Sequence, residues 1–165
     1  MQCSFYIMIG KKNSGVRFFM RSYQIYSIEK EVAEYYYGRE RMFYDLFLQY
    51  LYVNGNLKDI IRKQIKYITK PLPILSIHHL MNQSLSKKNE LIWDGRKYHM
   101  KGNTLENGVE FQLEEQKLLI QAWGNYDSES IFLEALRKFD ERLLAIDIEN
   151  ERFGWIKPIK ERKFV

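Results

Sequence analysis

Cysteine is nearly absent: Cys3 is the only one in 165 residues. That excludes an internal disulfide framework and a multi-cysteine zinc site. It points to a reducing, cytoplasmic setting. Proline is scarce at 3 residues, and 9 glycines leave no room for a long flexible linker. No apolar run approaches the roughly 20 residues a membrane helix requires. Catalytic signatures are also missing. There is no G-x-S-x-G elbow. Gly10-Lys11-Lys12 lacks the earlier glycine of a phosphate-binding loop. The densest histidine feature is His78-His79. Adjacent side chains diverge by about 100° on a helix and face opposite sides of a strand, so the pair is badly placed to share a metal. One buried and one exposed histidine is the simpler expectation. No enzyme, metal or cofactor is indicated.

What is present is the balance of a globular protein: 45% apolar and 28% charged residues. The length suits one domain with a real core. Aromatic residues are abundant at 15%, with 12 Tyr and 10 Phe. Tyrosine tolerates a half-buried place because its hydroxyl stays wet, so this richness suits a contact surface as well as a core. The net charge is +5, but residues 1–19 carry Lys11, Lys12 and Arg17 and no acid. Without them 23 basic residues face 21 acidic ones, a net of +2. The basic character therefore belongs largely to the first segment, and a nucleic-acid partner is only weakly supported.

Residues 1–19 show no clean helical period, cap or strand pairing signal, and no secretory signal pattern. Ser14-Gly15-Val16-Arg17 can be encoded as AGT-GGA-GTG-AGG, a purine-rich ribosome-binding sequence at a workable distance before the codon of Met20. The expectation is a translated leader or disordered extension over 1–19 and a functional domain over 20–165. A genuine N-terminal strand or arm is the alternative.

Tyr23-Gln24-Ile25-Tyr26-Ser27-Ile28 alternates as a strand. Glu29 to Tyr37 reads as a short helix stopped by Gly38. A second helix runs from Arg39 to Val53, with Phe43, Leu46, Phe47, Tyr50 and Leu51 on one face. A third spans Leu57 to Thr69 with Ile61, Ile65 and Ile68 inward. Beside that stripe lies another, Ile60, Gln64 and Tyr67, whose glutamine places it at the rim, facing out. Pro71 and Pro73 end the helix, and Pro73 opens either a helix over 73–86 or a strand over 72–78.

The second half reads as a sheet. Trp93-Asp94-Gly95 marks a hairpin. Tyr98 and Met100 alternate with polar neighbours, as do Val109, Phe111 and Leu113, and Leu118 to Trp123 pairs back across a turn at 114–116. A helix from Ser128 to Asp140 is capped by Asp127 or Ser128, with Phe132, Ala135, Leu136 and Phe139 inward. Leu143 to Ile148 reads as a buried final strand, and the tail from Glu149 folds back over the domain. The fold class is α+β: a single domain with a mixed, mainly antiparallel sheet and helices packed against it.

Three surface features bear on function. Asp147, Glu149 and Glu151 alternate and would share one face of an extended strand, where carboxylates hold Mg²⁺ or act as acid and base. A solvated strand end is the plainer assignment. Tyr35, Tyr36, Arg39 and Arg41 mix rings with cations, as base-stacking surfaces do. A bland helix surface explains them equally. Val32 and Tyr36 sit one turn apart on the first helix, and Gln64 and Tyr67 three apart on the third. With those helices side by side, the four form one patch of apolar bodies and polar tips, suited to a protein partner. The competing assignment puts them in the core.

Three segments resemble the sporulation inhibitor of replication (SirA) family. They are Glu31-Val32-Ala33-Glu34-Tyr35-Tyr36-Tyr37-Gly38-Arg39-Glu40, Gln64-Ile65-Lys66-Tyr67-Ile68-Thr69-Lys70-Pro71-Leu72-Pro73-Ile74-Leu75, and Glu151-Arg152-Phe153-Gly154-Trp155-Ile156-Lys157-Pro158 with the basic residues that follow. Their order and spacing match, over about 20–165. The resemblance implies a small cytoplasmic protein of spore-forming bacteria. Such a protein binds the N-terminal domain of the replication initiator DnaA and prevents new rounds of chromosome initiation. It implies no catalysis, no cofactor, no membrane, no direct nucleic-acid contact and no small-molecule substrate. The family's contact surface maps onto Val32, Tyr36, Gln64 and Tyr67. The family pattern has Phe where this chain has Val32, a smaller side chain that buries less, by ~1 kcal/mol at most.

Overall fold

The strand Met20–Ile28 (β1) lies within the sheet and collects three partners. It is seen in a computed structural model that describes residues 20–85, 91–101 and 106–157. The expected leader at 1–19 lies outside the described residues. Three helices follow β1: Lys30–Tyr35 (α1), Glu40–Tyr52 (α2) and Gly55–Ile68 (α3). Thr69–Lys70 (β2) returns to β1, and Ile74–Leu85 (α4) follows. Pro73 therefore opens a helix, not the alternative strand. The meander is Leu91–Trp93 (β3), Lys97–Lys101 (β4), Gly108–Leu113 (β5) and Leu118–Trp123 (β6). Asp127–Arg137 (α5), Leu143–Asp147 (β7) and Arg152–Trp155 (β8) complete the order.

The sheet order is β3-β4-β5-β6-β1-β7-β8, with β2 against β1. Every pairing among the described strands is antiparallel. Met20 to Ile25 pair with β6, and Gln24 to Ser27 with β7 on the other edge. Ser27 is opposite Leu143 and also opposite Lys70, so β2 takes up the β6 side where β6 ends.

Strand alternation sends the core to both faces. Ile25, Tyr98, Met100, Val109, Phe111, Leu118 and Ile120 face α4 and α5, which contribute Ile77, Met81, Leu85, Phe132 and Leu136. Tyr26, Ile28, Leu144 and Ile146 face the other way, against Ala33, Phe43, Tyr44 and Phe47 of α1 and α2. The Tyr26 and Phe47 rings stack at 4.2 Å between centroids. A buried ion pair ties β1 to α5: the Arg21 guanidinium donates to both Glu129 oxygens and to the carbonyls of Gly124 and Asn125. Arg21 and Glu129 are 5% and 2% exposed, and the bonding to Glu129 pushes the Arg21 pKa above its ordinary value.

Several sequence expectations are corrected here. On α2 the buried residues are Phe43, Tyr44 and Phe47, while Leu51 is exposed. Tyr44 goes in because its ring meets Phe153 of β8. Neither Asp127 nor Ser128 stands at the α5 cap; that place is Tyr126. The helix starts one residue earlier than expected, on the turn whose carbonyls Arg21 holds. Finally, β7 is not the last strand. The chain turns at 148–151 and comes back as β8, so the tail returns alongside β7 as an edge strand, and its last residues, 158–165, lie outside the described residues.

Candidate functional site

The corner where α1 and α3 meet the sheet is set by one backbone joint. The Glu29 N–H donates to the Ile68 carbonyl at 2.8 Å, next to the Ile28–Thr69 pairing. The Lys70 ammonium adds a contact of 3.3 Å to the Glu29 carboxylate. The start of α1 and the end of α3 are therefore held together. Val32 lies three residues beyond this joint and Tyr67 one before it. Tyr36 and Gln64 lie a further turn away along their own segments.

The four side chains differ in setting. Val32 and Tyr36 are half-buried and pack on the core between the sheet and α1–α3. The Tyr36 ring meets Phe43 edge-on at 5.9 Å and Tyr35 at 4.9 Å. Gln64 is exposed, and Tyr67 is 80% exposed. Beneath them on α3, Ile61 is buried while Ile65 and Ile68 pack against the same core. Gln64 and Tyr67 thus project from α3, while Val32 and Tyr36 have a firmer seat on the core.

That seat has a support that the sequence alone did not reveal. α1 ends at Tyr35, short of the expected Tyr37, and Gly38 adopts φ +78°, a left-handed conformation that favours glycine, in the turn that follows. Its N–H donates to the Glu40 carboxylate at 2.9 Å, and the Trp155 indole N–H donates to the same oxygen at 2.8 Å. Partial burial pushes the Glu40 carboxyl up. The hydrogen bonds from its own N–H, Gly38 and Trp155 outweigh that and hold it below the ordinary value. Trp155 also meets Phe43 edge-on at 6.0 Å. The tail strand β8 thus braces the turn that carries Tyr36. The only available signal was the apolar content of the tail.

The other candidates do not assemble into a site. Asp147 ends β7 fully buried, and its oxygens accept from the backbone and side-chain N–H groups of Asn150. Glu149 lies in the turn, and Glu151 takes φ +52°, so the three acids do not share a strand face. The chain bends there because Asp147 caps the turn instead of extending the strand. His78 is half-buried against Tyr98 and Trp93, with its Nδ1 in hydrogen-bond contact with the Tyr98 hydroxyl, while His79 is exposed. Tyr35 and Arg41 are exposed, and Arg41 pairs with Asp45 of its own helix. Among the described residues, no group of three His, Cys, Asp or Glu is placed to hold a metal. None of the described helices is long and apolar enough to cross a membrane.

Residues 21–160 match the family described as sporulation inhibitor of replication protein SirA. The chain belongs to the SirA family. A Bacillus subtilis (strain 168) protein named sporulation inhibitor of replication protein SirA is 36% identical over 147 residues. That span is 88% of this chain and 99% of the relative. The match to SirA includes every described strand and helix apart from the first residue of β1, so both segments of the corner surface lie within the family domain.

Proposed function

We propose that this protein inhibits chromosome replication initiation during sporulation by binding the N-terminal domain of the initiator DnaA. Val32, Tyr36, Gln64 and Tyr67 receive the partner. Binding occludes the self-association or partner recruitment that origin assembly needs. The action is stoichiometric and takes place in the cytoplasm, with no catalysis, no cofactor and no direct contact with nucleic acid. The functional domain is 20–165, with 1–19 a leader or extension.

The observation that supports this reading best is the exposure of Tyr67, 80%, at the end of α3 that is joined to the start of α1. A large tyrosine with its hydroxyl in water and its ring unpartnered is the kind of side chain that dominates protein–protein affinity. The nearby joint between Glu29 and Ile68 holds the backbone beside it, which lowers the backbone ordering cost of binding. The test is titration calorimetry of the full chain against the initiator of the same organism and against that initiator's N-terminal domain. Saturable one-to-one binding to both, lost in Tyr67→Ala, is the expected result. No binding by a folded protein overturns the reading.

A further inference from the structure

A four-residue patch is small for a stable complex. Specific interfaces bury roughly 800 Å² on each partner, from about 20–30 residues a side. The rest of the surface has to come from neighbouring structure, and α3 supplies it in one direction. Leu57, Ile60, Gln64 and Tyr67 recur at intervals of three and four, so they form one stripe along the helix. Leu57 and Ile60 are each 53% exposed, although large aliphatic side chains ordinarily seek the core. The inward stripe is a separate one, Ile61, Ile65 and Ile68, so α3 already has its full contact with the sheet side. From Tyr67 to Leu57 the stripe runs about 15 Å at the helical rise of 1.5 Å per residue.

Charge says what edges it. Within α3 there are four cations, Lys58, Arg62, Lys63 and Lys66, against the single acid Asp59. Arg62 is paired with Asp59, and Lys58 lies over the Tyr50 ring. Lys63 is exposed and stands three positions from Ile60 and four from Tyr67, on the edge of the stripe. Lys66, also exposed, precedes Tyr67. An apolar strip edged by ammonium groups complements an apolar strip edged by carboxylates. A phosphate backbone would match the lysines but leave Leu57 and Ile60 uncovered.

We infer that the docking surface continues from the Tyr67 corner along α3 through Ile60 to Leu57, with Lys63 on its rim, and that its occupant is an acid-edged apolar face of the initiator's N-terminal domain. This rests on the reading of the preceding subsection. It adds the direction in which the partner lies and the charge of the face it presents.

The experiment measures binding of the full chain to the full-length initiator for wild type, Tyr67→Ala, Ile60→Ser, Leu57→Ser and Lys63→Glu, each with a thermal melt. Ile60 and Leu57 are half-exposed, so both serine variants are expected to melt near wild type. Ile60→Ser is expected to weaken binding about tenfold and Leu57→Ser about threefold, as contacts moving outward from the interface centre. Lys63→Glu is expected to slow association several-fold at low salt, with the difference shrinking at high salt. Wild-type affinity in the folded Ile60→Ser, Leu57→Ser and Lys63→Glu variants, with Tyr67→Ala still defective, overturns the extension alone. No binding by wild type overturns the extension together with the reading beneath it. Salt-steep binding of wild type to duplex DNA without initiator, lost in Lys63→Glu, assigns the rim to nucleic acid and also overturns it.

Discussion

On the proposed reading, replacing Tyr67 by alanine separates binding from folding. A tyrosine side chain buries about 150–250 Å² when fully covered. At 80% exposure, and taking ~200 Å², about 160 Å² is left for a partner to cover. At ~25 cal/mol per Å² that area is worth ~4 kcal/mol, an upper bound because some of the ring stays wet at a rim. Truncated interface tyrosines cost ~2 kcal/mol and more. The expected loss is therefore about 2–4 kcal/mol, or about 30-fold to about 1,000-fold in Kd. The folded state loses almost nothing, under ~0.5 kcal/mol, because the ring has little intramolecular contact to forfeit. Calorimetry against the initiator reads the first number and thermal unfolding reads the second. The reasoning is refuted by unchanged Kd. It is equally refuted by a melting-temperature drop of more than about 4 °C, since ~1 kcal/mol shifts a domain of this size by about 2–4 °C.

Four further outcomes follow from particular contacts. Tyr36→Ala should weaken binding and also destabilise the fold by about 1–3 kcal/mol, because loss of its half-buried ring removes an edge-on contact from both Phe43 and Tyr35; urea unfolding checks this. Glu129→Ala strands the Arg21 guanidinium in the interior and should cost about 3–5 kcal/mol, measured the same way. Gly38→Ala meets no atom within 4 Å, so its penalty is that of forcing a Cβ into φ +78°, about 1 kcal/mol, visible as a lower melting temperature. The Glu40 carboxyl is held below its ordinary value when folded. Its contribution is therefore present above the unfolded pKa of about 4.3 and is lost as pH falls through the folded value. The stability gap between wild type and Glu40→Gln should be constant near neutrality and close on acidification, by melts across that range.

The parts of the fold that the sequence announced are those with an uninterrupted period. On α3 a glutamine inside an apolar register marked Ile60, Gln64 and Tyr67 as a separate outward stripe, and they are exposed. The meander was legible from Asp94-Gly95 and from alternation in β4 to β6, where one face is buried and the other carries Lys97, Glu110 and Gln112. The tail strand was not legible as a strand. Arg152-Phe153-Gly154-Trp155 is short and contains glycine, and its place is fixed by pairing with β7 and by rings on α2. Such long-range contacts leave no periodic trace. The alternating acids at 147–151 misled for a related reason. Asp147 satisfies its oxygens through Asn150 three residues later, and that local bonding overrides strand continuation. The four-residue surface was half legible: exposure of the α3 pair followed from the helix pattern, whereas the joint that places α1 beside it depends on β2, a two-residue strand.

The pairing of β1 also dictates when the sheet is complete during synthesis. Met20 lies opposite Trp123, and Ser27 opposite Leu143, more than a hundred residues further along the chain. Val32, Tyr36, Gln64 and Tyr67 are translated early and β2 follows them directly, yet the two long neighbours of β1 are available only after β6 and β7 have left the ribosome. At about 5–20 residues per second, several seconds separate the translation of Tyr67 from that of Leu143. Contacts this distant in sequence also close slowly. A nascent or prematurely terminated chain therefore has the residues of the local joint at Glu29 and Ile68 without the sheet that backs them. The corner then acquires its rigid backing all at once, when β7 joins the sheet.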